Sequence, residues 1–361
     1  MSATITEVPH GALTVLPEFD DHESVTALND PETGLRGFIA IHNTNLGTAV
    51  GGTRFWLYES EKAALCDALR LSRAMTYKCA LANLSYGGAK AVLIRPSGDK
   101  WSREAYLDSY AQCLESFAGR FFTGEDVGLS ADDVRFLAQK VGRGIIGNPD
   151  KGELPGPWAA RSVYAAMEVA LETVFGDSSF KGHTVAIKGL GHSGYELCAL
   201  VCAAGGNIIA SDIDPSRAVL AQKTFPGIRI VPPERISKES ADVYAPCALG
   251  DEFNAQSIPD IAARIVCGVA NNQLATPDDG RRLFDRNILY IPDYVANAGG
   301  LIDVADELEP GGFNRERVAR NIEKIKDTVR RIIEESRAKH IPTNEIADDI
   351  GKRRFESAKG A

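Results

Sequence analysis

The stretch HTVAIKGLGHSGYELCALVCAAGGNIIASDID, residues 183–214, limits what this chain can fold into more than any other. Its apolar start, 183–188, reads as a buried strand, and Gly189-Leu190-Gly191-His192-Ser193-Gly194 follows as a turn. A helical segment then runs to about Ala204, and a second apolar strand, 207–211, ends at Asp212. Strand, glycine turn, helix and strand in that order make a βαβ unit, and so a parallel sheet. Each glycine has a separate reason. Gly189 lets the chain turn tightly, Gly191 lets backbone amides approach a pyrophosphate, and Gly194 lets helix and strand pack closely.

That placement predicts a dinucleotide. The helix opening at His192 and Ser193 turns its partial positive charge toward phosphates. Asp212 stands about 20 residues past the first glycine, where a carboxylate accepts hydrogen bonds from ribose hydroxyls and repels a 2′-phosphate. NAD is therefore expected over NADP. Arg217 reads as a solvated residue of the next helix rather than as relief for that repulsion. The alternative, a glycine turn in an α/β fold without cofactor, must explain all these placements by chance.

Bulk properties remove other classes. A chain of 361 residues is long enough for two domains, each with its own core. A net charge of −9 argues against a nucleic-acid surface or an anionic membrane. The opening MSATITEVPHGALTVLPEFDD lacks a basic segment followed by an apolar one, so no signal peptide is expected. No apolar run is long enough to span a bilayer. The 7 cysteines are scattered singly, and the 6 histidines form no pair near them at ligand spacing. Reduced thiols in the cytoplasm, with no metal, are the expectation.

The first half reads as strands at 35–43, 47–55, 89–96 and 120–128, with helices from Glu61, capped by Ser60, and over 101–119. The Gly- and Pro-rich stretch 144–158 reads as a hinge. The expected organisation is α/β with two domains: 1–150 for substrate, 151–329 as a Rossmann dinucleotide-binding domain, and a cleft between them. The charged helical segment 330–361 is expected to pack back on the first. Within that first half, Lys78 and Lys90 stand in the otherwise uncharged run MTYKCALANLSYGGAK (75–90).

In order along the chain come GGTR (51–54), MTYK (75–78), GGAK (87–90), TGEDVG (123–128), GLGHSG (189–194), APCALG (245–250), ANNQL (270–274) and PDYVANAGGLI (292–302). This series resembles the Glu/Leu/Phe/Val amino-acid dehydrogenase superfamily over nearly the whole chain. The close, DVADELEPGGFNRERV (303–318), is most similar to its leucine and valine enzymes.

The resemblance implies reversible oxidative deamination of an L-amino acid to a 2-oxo acid and ammonia, with NAD, in a homo-oligomer, dimer or octamer. It gives the α-carboxylate to Lys78 with Gly51 and Gly52, the base that activates water to Lys90, and proton transfer to Asp126. A free lysine side chain titrates near 10.4, so a base role demands desolvation and a neighbouring cation, here Lys78. It further implies Val50, Gly124, Val295, Ala296 and Asn297 at the substrate, and Cys247, Ala248, Ala270, Asn271 and Asn297 with the glycine turn at the cofactor. Glutamate enzymes of the superfamily carry a lysine where this chain has Val50, so glutamate is expected to be rejected. Leucine, valine or isoleucine is expected instead. Small Gly124 and Ala296 leave phenylalanine or tryptophan open as alternatives.

Bland readings remain for single residues. Lys78 could end a helix, Lys90 could sit on a glycine turn, Asp126 could be solvated beside Glu125, and Asn271 and Asn297 could be turn residues. Some positions also depart from the superfamily pattern. GELPGPWAAR (152–161) puts Ala159 where a threonine would serve the nicotinamide, with an unusually bulky Trp158 before it; Asp251 replaces a glycine, and Ala89 replaces the middle glycine of a GGGK. These departures leave a non-catalytic relative that senses NAD or an amino acid as the rival reading.

Overall fold

The computed structural model describes residues 3–98 and 100–358, which form two compact α/β units. The first holds the described residues up to Glu153, then Val304–Phe313 and those from Gly351 onward; the second holds Leu154–Asp303 and Asn314–Ile350. Among the described residues no helix is long and apolar enough to cross a membrane.

The sheet of the first unit comprises β1 (Thr4–Glu7), β2 (Ser24–Asp30), β3 (Leu35–Asn43), β4 (Ala49–Trp56), β5 (Gly87–Ile94) and β6 (Phe121–Glu125). Their spatial order is β1-β2-β3-β5-β4-β6, with β4 parallel to β5 and β6 and the remaining pairs antiparallel. The helices are α1 (His10–Leu13), α2 (Glu61–Leu81), α3 (Arg103–Glu115) and α4 (Ala131–Lys140). Ser60 caps α2 by accepting the Ala63 N–H.

Central β5 is buried along its whole length, so its side chains alternate between two apolar layers. Val92 and Ile94 pack with Ala64, Ala68 and Leu69 of α2, whereas Ala89, Ala91 and Leu93 pack with Tyr106, Tyr110 and Leu114 of α3. β5 starts two residues before the apolar pattern predicts. Gly87 and Gly88 pair with Ala49 and Val50, and a Cβ on Gly88 would collide with the Thr76 backbone of α2.

The second unit opens with α5 (Pro155–Phe175). Its wholly parallel sheet comprises β7 (Thr184–Lys188), β8 (Asn207–Ser211), β9 (Arg229–Ile230), β10 (Val243–Pro246), β11 (Ile265–Val266) and β12 (Leu289–Tyr290), ordered β12-β11-β10-β7-β8-β9. Between and after these run α6 (His192–Ala203), α7 (Pro215–Thr224), α8 (Pro277–Asp285), α9 (Asp293–Ala296), α10 (Gly299–Asp306), α11 (Arg315–Glu323), α12 (Ile325–Lys339) and α13 (Thr343–Ser357). From β7 the chain builds outward through β8 and β9, then returns to the other side of β7 for β10. Ligands of such sheets bind where the order reverses.

Two expectations need correction. The stretch 144–158 is not all hinge, because Pro155–Trp158 form the first turn of α5, where proline's missing N–H costs nothing. Nor does the whole of 330–361 belong to the first unit, since only the residues from Gly351 do. The reason is the buried face of α12, Ile325, Val329, Ile332 and Ile333, together with ion pairs from Lys326 to Glu168 and from Arg330 to Glu172 of α5. The inclusion of Val304–Phe313 in the first unit had no counterpart in the sequence pattern.

Candidate active site

Alternation along β5 puts Lys90 in the layer of Val92 and Ile94, facing α2. Its side chain is 7% exposed, and burying an ammonium costs several kcal/mol unless an opposite charge matches it. The match is Asp126, just past β6, whose Oδ2 lies 3.2 Å from Nζ. Arg54 of β4 donates from Nε to the same oxygen at 2.9 Å, and its Nη1 stands 3.1 Å from Asp67 Oδ2 of α2. The Tyr58 hydroxyl donates to Asp67 at 2.6 Å. Burial pushes the Asp126 carboxyl up, but the Lys90 ammonium and the Arg54 guanidinium outweigh it and hold the group below the usual carboxylate range.

Gly52 leaves the space in which these groups meet. A Cβ there would stand 2.8 Å from Glu125 O, 2.9 Å from Asp126 Cβ and 3.3 Å from Lys90 Nζ. A Cβ on Gly51 would collide with the carbonyl of Ala89. Sequence reasoning gave Arg54 no role, although it ends the GGTR motif. Of its two carboxylate partners, the one it shares with Lys90, Asp126, is 72 positions away, beyond any local pattern.

Lys78 lies in the last turn of α2 and is partly exposed. It shares a helix face with Met75, three residues back, whose Cγ would be 3.5 Å from a Cβ on Gly51. That end of α2 is fixed twice. His42 Nδ1 and Thr76 Oγ1 are hydrogen-bonded at 2.8 Å, and Arg354 Nη1 donates to Ala80 O at 2.6 Å and also to the Asn83 side chain. Lys78, Lys90, Gly51, Gly52 and Asp126 thus lie on adjoining surfaces of α2, β4, β5 and the end of β6.

Val50 is wholly buried, in register between Gly88 and Phe122. Gly124 does not supply the expected extra room. Ile146 donates its N–H to Thr123 O at 2.9 Å, which brings its own carbonyl against the place a Cβ on Gly124 would occupy.

In the second unit the glycine turn follows β7, at the reversal of strand order. Gly189 has φ of +103°, and a Cβ on it would stand 2.9 Å from Cys247 O and 3.0 Å from Ala248 Cβ. A Cβ on Gly194 would collide with the Gly189 carbonyl, so α6 sits directly on the turn. Gly191 is the N-cap of α6, ahead of His192 and Ser193. Asp212 is held by two backbone donors, Leu190 N–H to Oδ2 at 2.6 Å and Asp214 N–H to Oδ1 at 2.7 Å. Arg217 is not merely solvated: its Nη1 is 3.8 Å from Asp212 Oδ2. A bare glycine cradle, a helix N-terminus and an adjoining carboxylate together suit a dinucleotide.

Beyond β10, the Asn297 Nδ2 donates to Val269 O at 2.9 Å and to Asn271 Oδ1 at 2.8 Å, while its buried Oδ1 has no hydrogen-bond partner among the described residues. Ala270 donates its N–H to Pro246 O, and Val295 and Ala296 are fully buried. Asp251 adopts φ of +56°, the left-handed conformation that a glycine would take freely and that Asp tolerates. Trp158 is absorbed into packing, its ring 4.9 Å from the Arg161 guanidinium and 5.7 Å from that of Arg315.

Comparison with known proteins agrees with this geometry. Residues 22–143 match the family model described as Glu/Leu/Phe/Val dehydrogenase, dimerisation domain, and residues 212–359 match Glutamate/Leucine/Phenylalanine/Valine dehydrogenase. The leucine dehydrogenase of Bacillus cereus is 41% identical over 94% of this chain and 93% of its own length. The chain belongs to the Glu/Leu/Phe/Val dehydrogenase family. It is an amino-acid dehydrogenase, an enzyme acting on a CH–NH2 group. Within the family, the phenylalanine dehydrogenase of Bacillus thermotolerans is 37% identical over 95% of this chain and 91% of its own. The crystal structure of L-tryptophan dehydrogenase from Nostoc punctiforme superposes with a TM-score of 0.83 at 36% identity, covering 94% of this chain and 98% of that one.

Proposed function

We propose that this dehydrogenase oxidises an apolar L-amino acid to its 2-oxo acid and ammonia, reversibly, with NAD as acceptor. The observation that carries the reading is the Lys90–Asp126 ion pair beside Gly52, with Lys90 7% exposed. Lys78 holds the α-carboxylate, with backbone at Gly51 and Gly52. Lys90 passes its ammonium proton to Asp126 and, as the free amine, takes the proton from the attacking water, while Asp126 hands the proton it received to the amino group. Across 3.2 Å the pair can pass a proton between Nζ and Oδ2 with no change in its net charge. NAD, when bound there, would supply the hydride acceptor for Cα. Gly189–Gly194 would hold its pyrophosphate, Asp212 its ribose, and Cys247, Ala248, Ala270, Asn271 and Asn297 the surroundings of its nicotinamide half. The unpartnered Asn297 Oδ1 suits an N–H donor.

Replacing Asp212 tests the cofactor assignment. Asp212→Ser removes both the ribose acceptor and the charge that opposes a 2′-phosphate. NAD binding is expected to weaken about tenfold and the NADP/NAD affinity ratio to rise. A titration in which wild type already prefers NADP overturns the assignment.

Substrate choice rests on Val50. A glutamate side chain against this buried residue would lose hydration and find no cation, which costs several kcal/mol. NADH formation at alkaline pH across a panel of amino acids is expected to rank kcat/KM for leucine, valine and isoleucine far above that for glutamate. Efficient glutamate turnover sinks the reading of Val50. Aromatic substrates are the second reading, favoured by the phenylalanine and tryptophan enzymes among the relatives. One methylene of fit is worth only about 1–3 kcal/mol, so the aliphatic preference is expected to be broad. We place the enzyme in the cytoplasm as a homo-oligomer, with the family's dimerisation domain and the free cysteines as support.

A further inference from the structure

The second unit holds a cation that the assigned reaction does not use. Arg217 stands in the first turn of α7, half-exposed, and its guanidinium bends back toward the glycine turn. Nη1 lies 3.8 Å from Asp212 Oδ2, and Nε lies 3.6 Å from Asp214 Oδ2. The same Nη1 is the one atom, 3.9 Å away, that a Cβ on Gly191 would meet. The arginine therefore overlooks both the carboxylate that selects the ribose and the glycine that admits the pyrophosphate.

Its neighbours leave it free to turn. Both contacts to carboxylates exceed 3.5 Å and are not bidentate hydrogen bonds, so neither locks the guanidinium. Asp212 does not depend on Arg217 for its own position, because the Leu190 and Asp214 amides already hold both its oxygens. Asp212 is thus a fixed anion on backbone donors, and Arg217 a movable cation beside it. An ammonium would give a point charge; a guanidinium gives a planar fork matched to phosphate oxygens.

We infer that Arg217 is a specificity-determining residue that lets this enzyme take NADP as a second cofactor, by receiving the 2′-phosphate that Asp212 alone would repel. The inference rests on the dinucleotide reading of the glycine turn. In NAD, which lacks that phosphate, the ribose hydroxyls face Asp212 and Arg217 gains no new partner. In NADP the guanidinium swings from Asp214 onto the 2′-phosphate and offsets the carboxylate beside it. Discrimination against NADP is therefore shallower than a lone ribose-binding aspartate would impose.

Equilibrium titrations of the full chain with NADH and NADPH, followed by nucleotide fluorescence and by the shift in Tm, test this without any turnover. Wild type is expected to bind NADPH measurably, within about a hundredfold of NADH. Arg217→Ser is expected to weaken NADPH about tenfold and NADH less than threefold, because one charge-assisted contact is lost from only one of the two ligands. Arg217→Lys is expected to restore part of the NADPH affinity, and the Arg217-dependent share of NADPH binding to fade as salt rises. Equal weakening of both nucleotides by Arg217→Ser would place the guanidinium on adenine or pyrophosphate and overturn the proposal. So would wild type that binds NADH but no NADPH. If wild type binds neither nucleotide, the dinucleotide reading itself fails.

Discussion

Lys90→Ala is expected to lower kcat by about three orders of magnitude or more, since it removes the proposed general base and leaves Asp126 with no amine to exchange a proton with. NAD affinity is expected to stay within a few-fold of wild type, because Lys90 lies on β5 of the first unit and the glycine turn lies in the second. The two measurements separate chemistry from binding: pre-steady-state turnover reports the first and a nucleotide titration the second. Turnover within tenfold of wild type removes Lys90 from the base role. The variant also leaves Asp126 with Arg54 as partner, so its carboxylate keeps a cation and the fold is expected to survive.

Asp126→Asn is expected to harm both activity and stability. Two cations, buried Lys90 and half-buried Arg54, would then face a neutral amide in place of a carboxylate. Breaking a buried pair costs about 3–5 kcal/mol, and the lower end applies to a site where Asp126 keeps some exposure. For a unit of this size that corresponds to a fall in Tm of about 6–12 °C. Loss of proton transfer is expected to lower kcat by about 10²- to 10⁴-fold.

The pH dependence has a definite sign. The folded pKa of Asp126 is depressed, so its stabilising effect is fully present above the unfolded value, about 4. It is lost only as pH falls through the lower folded value. The stability gap between wild type and Asp126→Asn is therefore expected to be constant from about pH 5 to 7, and to close below about pH 4. A gap that instead closes on raising the pH contradicts the ionised pair. Denaturant titrations at several pH values read it directly.

Parts of this architecture were legible in the sequence because one residue type answers one local demand. Gly189 needs positive φ and Gly194 must touch a carbonyl, so the turn announces itself within six residues. Lys90 announced only that it was odd: a charge inside an apolar run. The resemblance brought Asp126 to the site but set Lys78 beside Lys90; the pairing of Lys90 with Asp126 appears only in the fold, since nothing local ties position 90 to position 126. Arg54 stayed silent for the same reason. Gly124 misled, because a small residue reads as space, and the space belongs to the carbonyl of Ile146. Arg217 misled in the opposite direction. A charged residue in a helix's first turn reads as solvated until the turn it bends toward is folded.

The return of the chain to the first unit at Gly351 bears on how the protein is made. Arg354 ties down the end of α2, the helix that carries Lys78, across 274 positions of sequence. A ribosome adds about 5–20 residues per second, so the roughly 200 residues between Glu153 and Gly351 take about 10–40 seconds to emerge. Throughout that interval the nascent first unit holds its sheet and its lysines but lacks the clasp on α2. The second unit, by contrast, gathers all six of its strands from one unbroken stretch, Leu154–Asp303. Synthesis therefore delivers the clasp on α2 only after every strand of the nucleotide-binding unit has emerged, so the helix that carries Lys78 is secured later than the sheet it packs on.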